Sequence, residues 1–171
     1  IANGDWSSDV CSSDLKRKKG GQAPRLPAYR AEYLLFGALL AYGNRLQALG
    51  DGFYREVTTK QWFLLACLEL FEAPSTLGEL AGAMGCSHQN TKQLALKLAA
   101  KQYVRLVRDE ADARRTRVVP GPACTALREH YREKQETFMQ ALFAGVPQAD
   151  LAAALKVIWK LGENMQAMQE G

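Results

Sequence analysis

The chain has 171 residues, 22 basic against 18 acidic side chains and an apolar fraction of 47%. That apolar fraction supports one compact core and excludes a disordered polyelectrolyte. No stretch reads as a membrane span, because the apolar run at 33–42 is broken by Gly37 and falls well short of the ~20 residues required. Cys11, Cys67, Cys86 and Cys124 stand singly, without the paired spacing of a disulfide framework or a zinc site. A reducing cytoplasm is the expected compartment.

Residues 1–28 read as an arm without fold. Residues 1–15 carry the repetitive stretch Trp6-Ser7-Ser8-Asp9-Val10-Cys11-Ser12-Ser13-Asp14 and resemble translated sequencing-adaptor sequence, foreign to the fold. Setting aside Asp5, Asp9 and Asp14 leaves 15 acidic residues against the same 22 basic ones, a net +7 in place of +4. A positive balance suits a polyanionic partner. The run Lys16-Arg17-Lys18-Lys19 suits either phosphates or a solvated tail.

The remainder, 29–171, reads as one subunit. Apolar residues at 31, 34, 35, 38, 39, 42, 46 and 49 have helical spacing, and Gly50-Asp51-Gly52 is expected to stop that helix. Thr58-Thr59-Lys60-Gln61 matches a capping box, with Val57 and Trp62 at the staple positions, and opens a second helix over 59–71. Pro74-Ser75 is read as a break. Thr76-Leu77-Gly78-Glu79 is another capping box, opening a short third helix that Gly85 closes. Gly78 and Gly82 each cost that helix about 1 kcal/mol relative to alanine, which points to close helix contact or a loosely held element. Ser87 caps a fourth helix reaching about 102.

Residues 104–108 and 116–119 then read as two strands of a hairpin around the polar loop 109–115. Pro120-Gly121-Pro122 ends the hairpin, and two helices follow at about 123–144 and 148–168. The first carries a thin apolar stripe of Leu127, Tyr131, Phe138 and Leu142. The second has Leu151, Leu155, Ile158, Gly162 and Met165 along one side.

The fold class is therefore mainly α with a small β-hairpin wing. Ala81 at the crossing, Gly85 in the turn, and Leu94 and Leu98 facing inward fit a helix-turn-helix whose second helix can enter a major groove. At about 100° per residue, His88, Gln89, Lys92, Gln93 and Leu96 fall on one side of that helix, and Thr91, Leu94, Ala95 and Leu98 on the other. Gln and Lys on the open side suit base edges and phosphates. Ser87, Asn90 and Lys97 join them as candidate DNA contacts.

The stretches Thr58-Thr59-Lys60-Gln61-Trp62, Leu77-Gly78-Glu79-Leu80-Ala81-Gly82-Ala83-Met84-Gly85-Cys86-Ser87 and Asp112-Ala113-Arg114-Arg115 resemble the MarR family of bacterial regulators over about 29–168. The sharpest element is Asp-x-Arg, Asp112 and Arg114. The resemblance implies a winged helix-turn-helix at 55–119 and dimerisation helices at 29–50 and 123–168. It further implies that Arg114 enters a narrow minor groove and that Asp112 supports the wing. Arg115 and Arg117 are phosphate candidates. Where the family more often has Leu-Thr after the wing strand, this chain has Pro120-Gly121-Pro122, which leaves the start of the fifth helix open.

The family also implies a homodimer on a pseudo-palindromic operator in double-stranded DNA. Independently, the helices at 29–49 and 148–168 are too apolar to remain exposed. A small aromatic ligand, if one binds, is expected near Tyr33, Phe36, Trp62 and Phe63, which suit a core equally well. Cys67 and Cys86 read as small packing residues, while Cys124 near a helix start is placed for a lowered thiol pKa. His88 and His130 lack partners at metal-ligand spacing, and no nucleophile–base pair or phosphate loop points to an enzyme or a cofactor. The sequence reading is a ligand-responsive DNA-binding regulator, expected to be a repressor. The alternative is a dimeric ligand-binding or redox-sensing protein with weak or lost DNA binding.

Overall fold

A computed structural model describes residues 30–109, 112 and 114–170. The adaptor-like stretch and the basic arm lie outside these residues. The elements are α1 (Ala31–Phe53), α2 (Thr59–Cys67) with a 3-10 turn (Leu68–Leu70), β1 (Ser75–Thr76), α3 (Leu77–Met84), α4 (His88–Ala100), β2 (Val104–Arg108), β3 (Thr116–Pro120), α5 (Cys124–Leu142) and α6 (Gln148–Glu170). The described residues fall into two units, 30–49 and 50–170. In the first, α1 presents Tyr33, Phe36, Leu39, Leu40, Tyr42, Leu46 and Leu49 to solvent.

The expected stop at 50–52 is not observed, and α1 continues to Phe53. The reason is a contact. Gly50 is buried, and a Cβ there would stand 2.5 Å from Thr59 Oγ1. Asp51 Oδ1 accepts the Thr59 N–H at 2.7 Å, satisfying an orphan donor of α2. The Gly-Asp-Gly triplet thus serves the next helix and does not end its own.

The other start and stop signals act as their chemistry requires. Thr58 Oγ1 accepts the Gln61 N–H at 3.3 Å, and Gln61 returns its side-chain oxygen to the Thr58 N–H at 3.0 Å. Thr76 and Glu79 do the same for α3, at 3.2 and 2.6 Å. Gly85 closes α3 at φ +61°, and the Cys86 N–H reaches back to the Ala81 carbonyl at 3.1 Å, in Schellman fashion. Gly78 and Gly82 make no close helix contact, since a Cβ on either would meet nothing nearer than 3.9 Å. The capping box and the buried Leu77, Leu80 and Ala81 hold α3 instead.

The break read at Pro74-Ser75 is a short strand. The sheet order is β1-β3-β2, all antiparallel, with Thr76 opposite Arg117, Ser75 opposite Val118, and Leu106 opposite Val118 on the other side. Two residues are too few for a periodic signal, which is why the sequence shows only a hairpin.

Behind this sheet, Leu64, Leu65, Leu80, Leu98, Val104, Val118, Cys67 and Cys124 are almost completely buried. Each buried leucine contributes roughly 1.5–3 kcal/mol. Tyr131 of α5 closes the core from the far side. Its ring meets Phe53, Tyr54 and Trp62, and its hydroxyl accepts the Arg55 N–H at 2.9 Å while donating to Glu56. Burial pushes the neighbouring Tyr54 phenol up to about 12. Leu127 and Tyr131 are buried as their stripe requires, Phe138 is half-buried, and Leu142 is exposed.

Between α4 and β2 the backbone turns through Gln102, at φ +61° in the left-handed region. A side chain there costs roughly 1 kcal/mol. Gln102→Gly is expected to raise stability by about 0.5–1 kcal/mol, read as a higher midpoint in urea denaturation. A lower midpoint would mean that the glutamine side chain stabilises this turn.

Candidate nucleic-acid interface

The turn at Gly85 and the Ser87 cap fix how α4 leaves the core. Ser87 Oγ accepts the Asn90 N–H at 3.2 Å, and the Ser87 carbonyl receives both the N–H and the hydroxyl of Thr91. Thr91, Leu94, Ala95 and Leu98 are buried against the module, so the opposite face is turned outward. Ser87, His88, Gln89, Asn90, Lys92, Gln93 and Lys97 are all exposed, as is Leu96. The opposed faces read from helical phase are therefore both present.

The wing supplies the second half of the site. Asp112 Oδ1 accepts the Arg114 N–H and the Arg114 Nε, each at 3.1 Å, and Asp112 Oδ2 lies 3.4 Å from Arg115 Nε. The guanidinium of Arg114 holds the Asp112 carboxyl below the usual carboxylate range. Arg114 remains 91% exposed, so its charge is displayed, with Asp112 steadying its base. As a surface ion pair this contributes little to stability; its consequence is geometric.

His88 and Lys92 of α4, Arg114 and Arg115 of the wing, and Thr76, Leu77, Gly78 and Thr116 line one groove. Four candidate contacts from two elements thus converge beside the capped start of α3. Gln89, Asn90, Gln93 and Lys97 lie along α4 outside that groove.

Arg117, a phosphate candidate in the sequence, is held differently from Arg114 and Arg115. Its guanidinium donates to the Asp109 carboxylate and to the Pro74 carbonyl, both within the module. The sequence reading missed Asp109 altogether. It is 5% exposed and accepts the Asp112 N–H at 3.0 Å.

The four aromatic residues named for a ligand do not share one setting. Trp62 is half-buried, stacked on Tyr54 at 4.7 Å, whereas Phe63 is 46% exposed. Tyr33 and Phe36 belong to the first unit and are exposed. Trp62, Leu65, Glu69, Arg128, Arg132 and Met139 line an open groove between α2 and α5. Arg128 is anchored there, pairing with Glu69 and donating to the Leu65 carbonyl at 3.0 Å.

Cys124 does not bear out the expectation of a lowered pKa. It is 2% exposed, and burial pushes its thiol up, as it does for Cys67. Cys86 is half-buried, its Sγ 3.1 Å from Thr91 Oγ1. His130 is exposed, edge-on to Tyr131. Among the described residues there is no cluster of metal-ligating side chains, and no helix is long and apolar enough to cross a membrane.

Solved structures share this arrangement. A MarR/EmrR family transcriptional regulator from Acinetobacter sp. ADP1 superposes with a TM-score of 0.71 at 13% identity, covering 81% of this chain and 99% of its own. The fold is that of the MarR-family regulators. Bordetella bronchiseptica BpsR, described for the regulation of its DNA binding by 6-hydroxynicotinic acid, gives 0.62 at 21% identity over 78% of this chain and 98% of its own. The PcaV transcriptional regulator from Streptomyces coelicolor, solved with its natural ligand, gives 0.66 at 16% over 81% and 98%. No protein-family model matches the sequence, and no curated protein matches it. The MarR-like fold thus rests on the shape of the backbone, with the short stretches around the helix-turn-helix and the wing.

Proposed function

We propose that this chain is a MarR-type transcriptional regulator that binds double-stranded DNA sequence-specifically as a homodimer, and that it represses. The observation that carries the reading is the convergence of His88, Lys92, Arg114 and Arg115 on one groove, beside a recognition helix whose polar face is wholly exposed. In this reading α4 enters the major groove with Gln89, Gln93 and Lys92 at base edges. Ser87, His88, Asn90, Lys97 and Arg115 lie at phosphates, and Arg114 reaches the minor groove. The exposed apolar faces of α1 and α6 support the dimer.

The groove between α2 and α5 offers Trp62 and Met139 to a small aromatic ring, while its arginines are already paired, Arg128 with Glu69 and Arg132 with Glu129. That BpsR is described as regulated by 6-hydroxynicotinic acid and PcaV with its natural ligand favours a ligand-responsive regulator.

A gel shift with DNA flanking the chain's own gene, repeated over a salt series, tests the reading. Specific binding that weakens steeply with salt is expected, because phosphate contacts release counterions. Arg114→Ala should weaken it on the order of ten-fold, with relaxed preference at one A/T-rich position. Equal affinity for shuffled DNA would refute sequence-specific regulation.

A further inference from the structure

We propose that Asp109 and Arg117 form a strut that positions the wing, and that Arg117 acts through Arg114 and not on DNA itself. The inference rests on the DNA-binding reading. Its geometry is a continuous relay. Arg117 sits in β3 opposite Thr76 of β1, and its guanidinium donates in two directions, to the Pro74 carbonyl and to Asp109 Oδ2. The other oxygen of Asp109 accepts the Asp112 N–H at 3.0 Å, and the Asp109 N–H donates to the Arg115 carbonyl at 3.1 Å. Asp112 in turn holds the backbone and side chain of Arg114. Each link fixes the next, from the segment before β1 to the wing tip.

Exposure separates the three arginines. The Arg114 and Arg115 side chains are 91% and 66% exposed, whereas that of Arg117 is 31% exposed and that of its Asp109 partner 3%. A phosphate contact needs an exposed cation, and Arg117 is largely enclosed beside a buried carboxylate. A planar guanidinium can hold the carboxylate and the carbonyl together; a lysine ammonium lacks that fixed fork.

Two conservative variants give opposite signs under the two roles. If Arg117 contacts phosphate, Asp109→Asn removes a nearby negative charge and tightens binding, and Arg117→Lys binds almost as the wild type. If the pair is a strut, both weaken binding to the flanking-gene duplex on the order of ten-fold, matching loss of the Arg114 contact. Neither should then weaken it further when combined with Arg114→Ala.

Fluorescence anisotropy on labelled flanking-gene and shuffled duplexes, with the full chain, reads these outcomes. Tighter binding by Asp109→Asn, wild-type binding by Arg117→Lys, or losses additive with Arg114→Ala would overturn the strut. Failure of the wild type to prefer flanking DNA would instead overturn the DNA-binding reading. Hydrogen exchange at the Asp112 and Arg115 amides then decides the strut without DNA, faster in both variants if it holds and unchanged if it does not. A variant that fails to fold would place the pair in the core and overturn a role confined to the wing.

Discussion

Gly121→Ala is expected to destabilise the winged module by more than about 3 kcal/mol, the upper end of the range for steric overpacking. A Cβ on Gly121 would stand 2.2 Å from the Gln102 carbonyl oxygen and 2.9 Å from the carbonyl carbons of Gln102 and Tyr103. All three are backbone atoms, so no side chain can swing aside. The crossing is tied on both sides: the Gly121 N–H donates to the Tyr103 carbonyl at 2.9 Å, and the Ala123 N–H to the Gln102 carbonyl at 3.2 Å. To admit a methyl group, the end of β3 must part from the turn that follows α4. The Val104–Pro120 pairing and the start of α5 would part with it.

Gly82→Ala supplies the opposite sign. Nothing lies within 4 Å of a Cβ at that position in α3. Alanine there is expected to stabilise by about 1 kcal/mol through helix propensity alone. Urea denaturation of both variants against the wild type checks the pair. A Gly121→Ala midpoint close to the wild type would show that the crossing yields more easily than its distances imply.

This crossing also marks where the sequence stops being legible. Capping boxes, the Gly85 turn and the two faces of α4 are local chemistry within four or five residues, and each appears where its pattern stands. Pro120-Gly121-Pro122 reads as an ending, but its reason is a backbone approach from Gln102, nineteen positions earlier. Gly50-Asp51-Gly52 reads as a stop for the same reason, because the pattern does not reveal that Thr59 will pack on Gly50. In the site, exposure was readable from helical phase for His88 and Lys92. The partners of Arg117 were not, since Pro74 joins it only through the β1–β3 pairing. Cys124 illustrates the converse: its place at a helix start is visible in the sequence, while the burial that raises its pKa depends on packing.

Leu155→Glu with Ile158→Glu on α6 is expected to convert the proposed dimer into a monomer and to cost DNA affinity about 100-fold or more. The face they occupy is apolar and uncovered: Leu155 is 50% exposed, Ile158 42%, Trp159 66% and Met165 59%. Residues at the end of α5 and just beyond it, Met139, Leu142, Phe143 and Val146, are similarly open. Surfaces of this kind rarely stay in water on a monomer, and a two-fold partner covers the same face on both copies. Two glutamates there would each have to be buried against an apolar surface, at several kcal/mol apiece. Neither residue belongs to the core around Leu64, Leu80 and Leu98, so the winged module should melt as before. Affinity falls because a dimer's second half-site binds at high effective concentration, a gain of 10²–10⁴ that a monomer lacks. Sedimentation velocity reads the first effect and anisotropy on the flanking-gene duplex the second. A wild type that sediments as a monomer, or a variant that stays dimeric, would contradict the assignment of α6 to the dimer interface. A monomeric variant with undiminished DNA affinity would show that one winged module suffices for recognition.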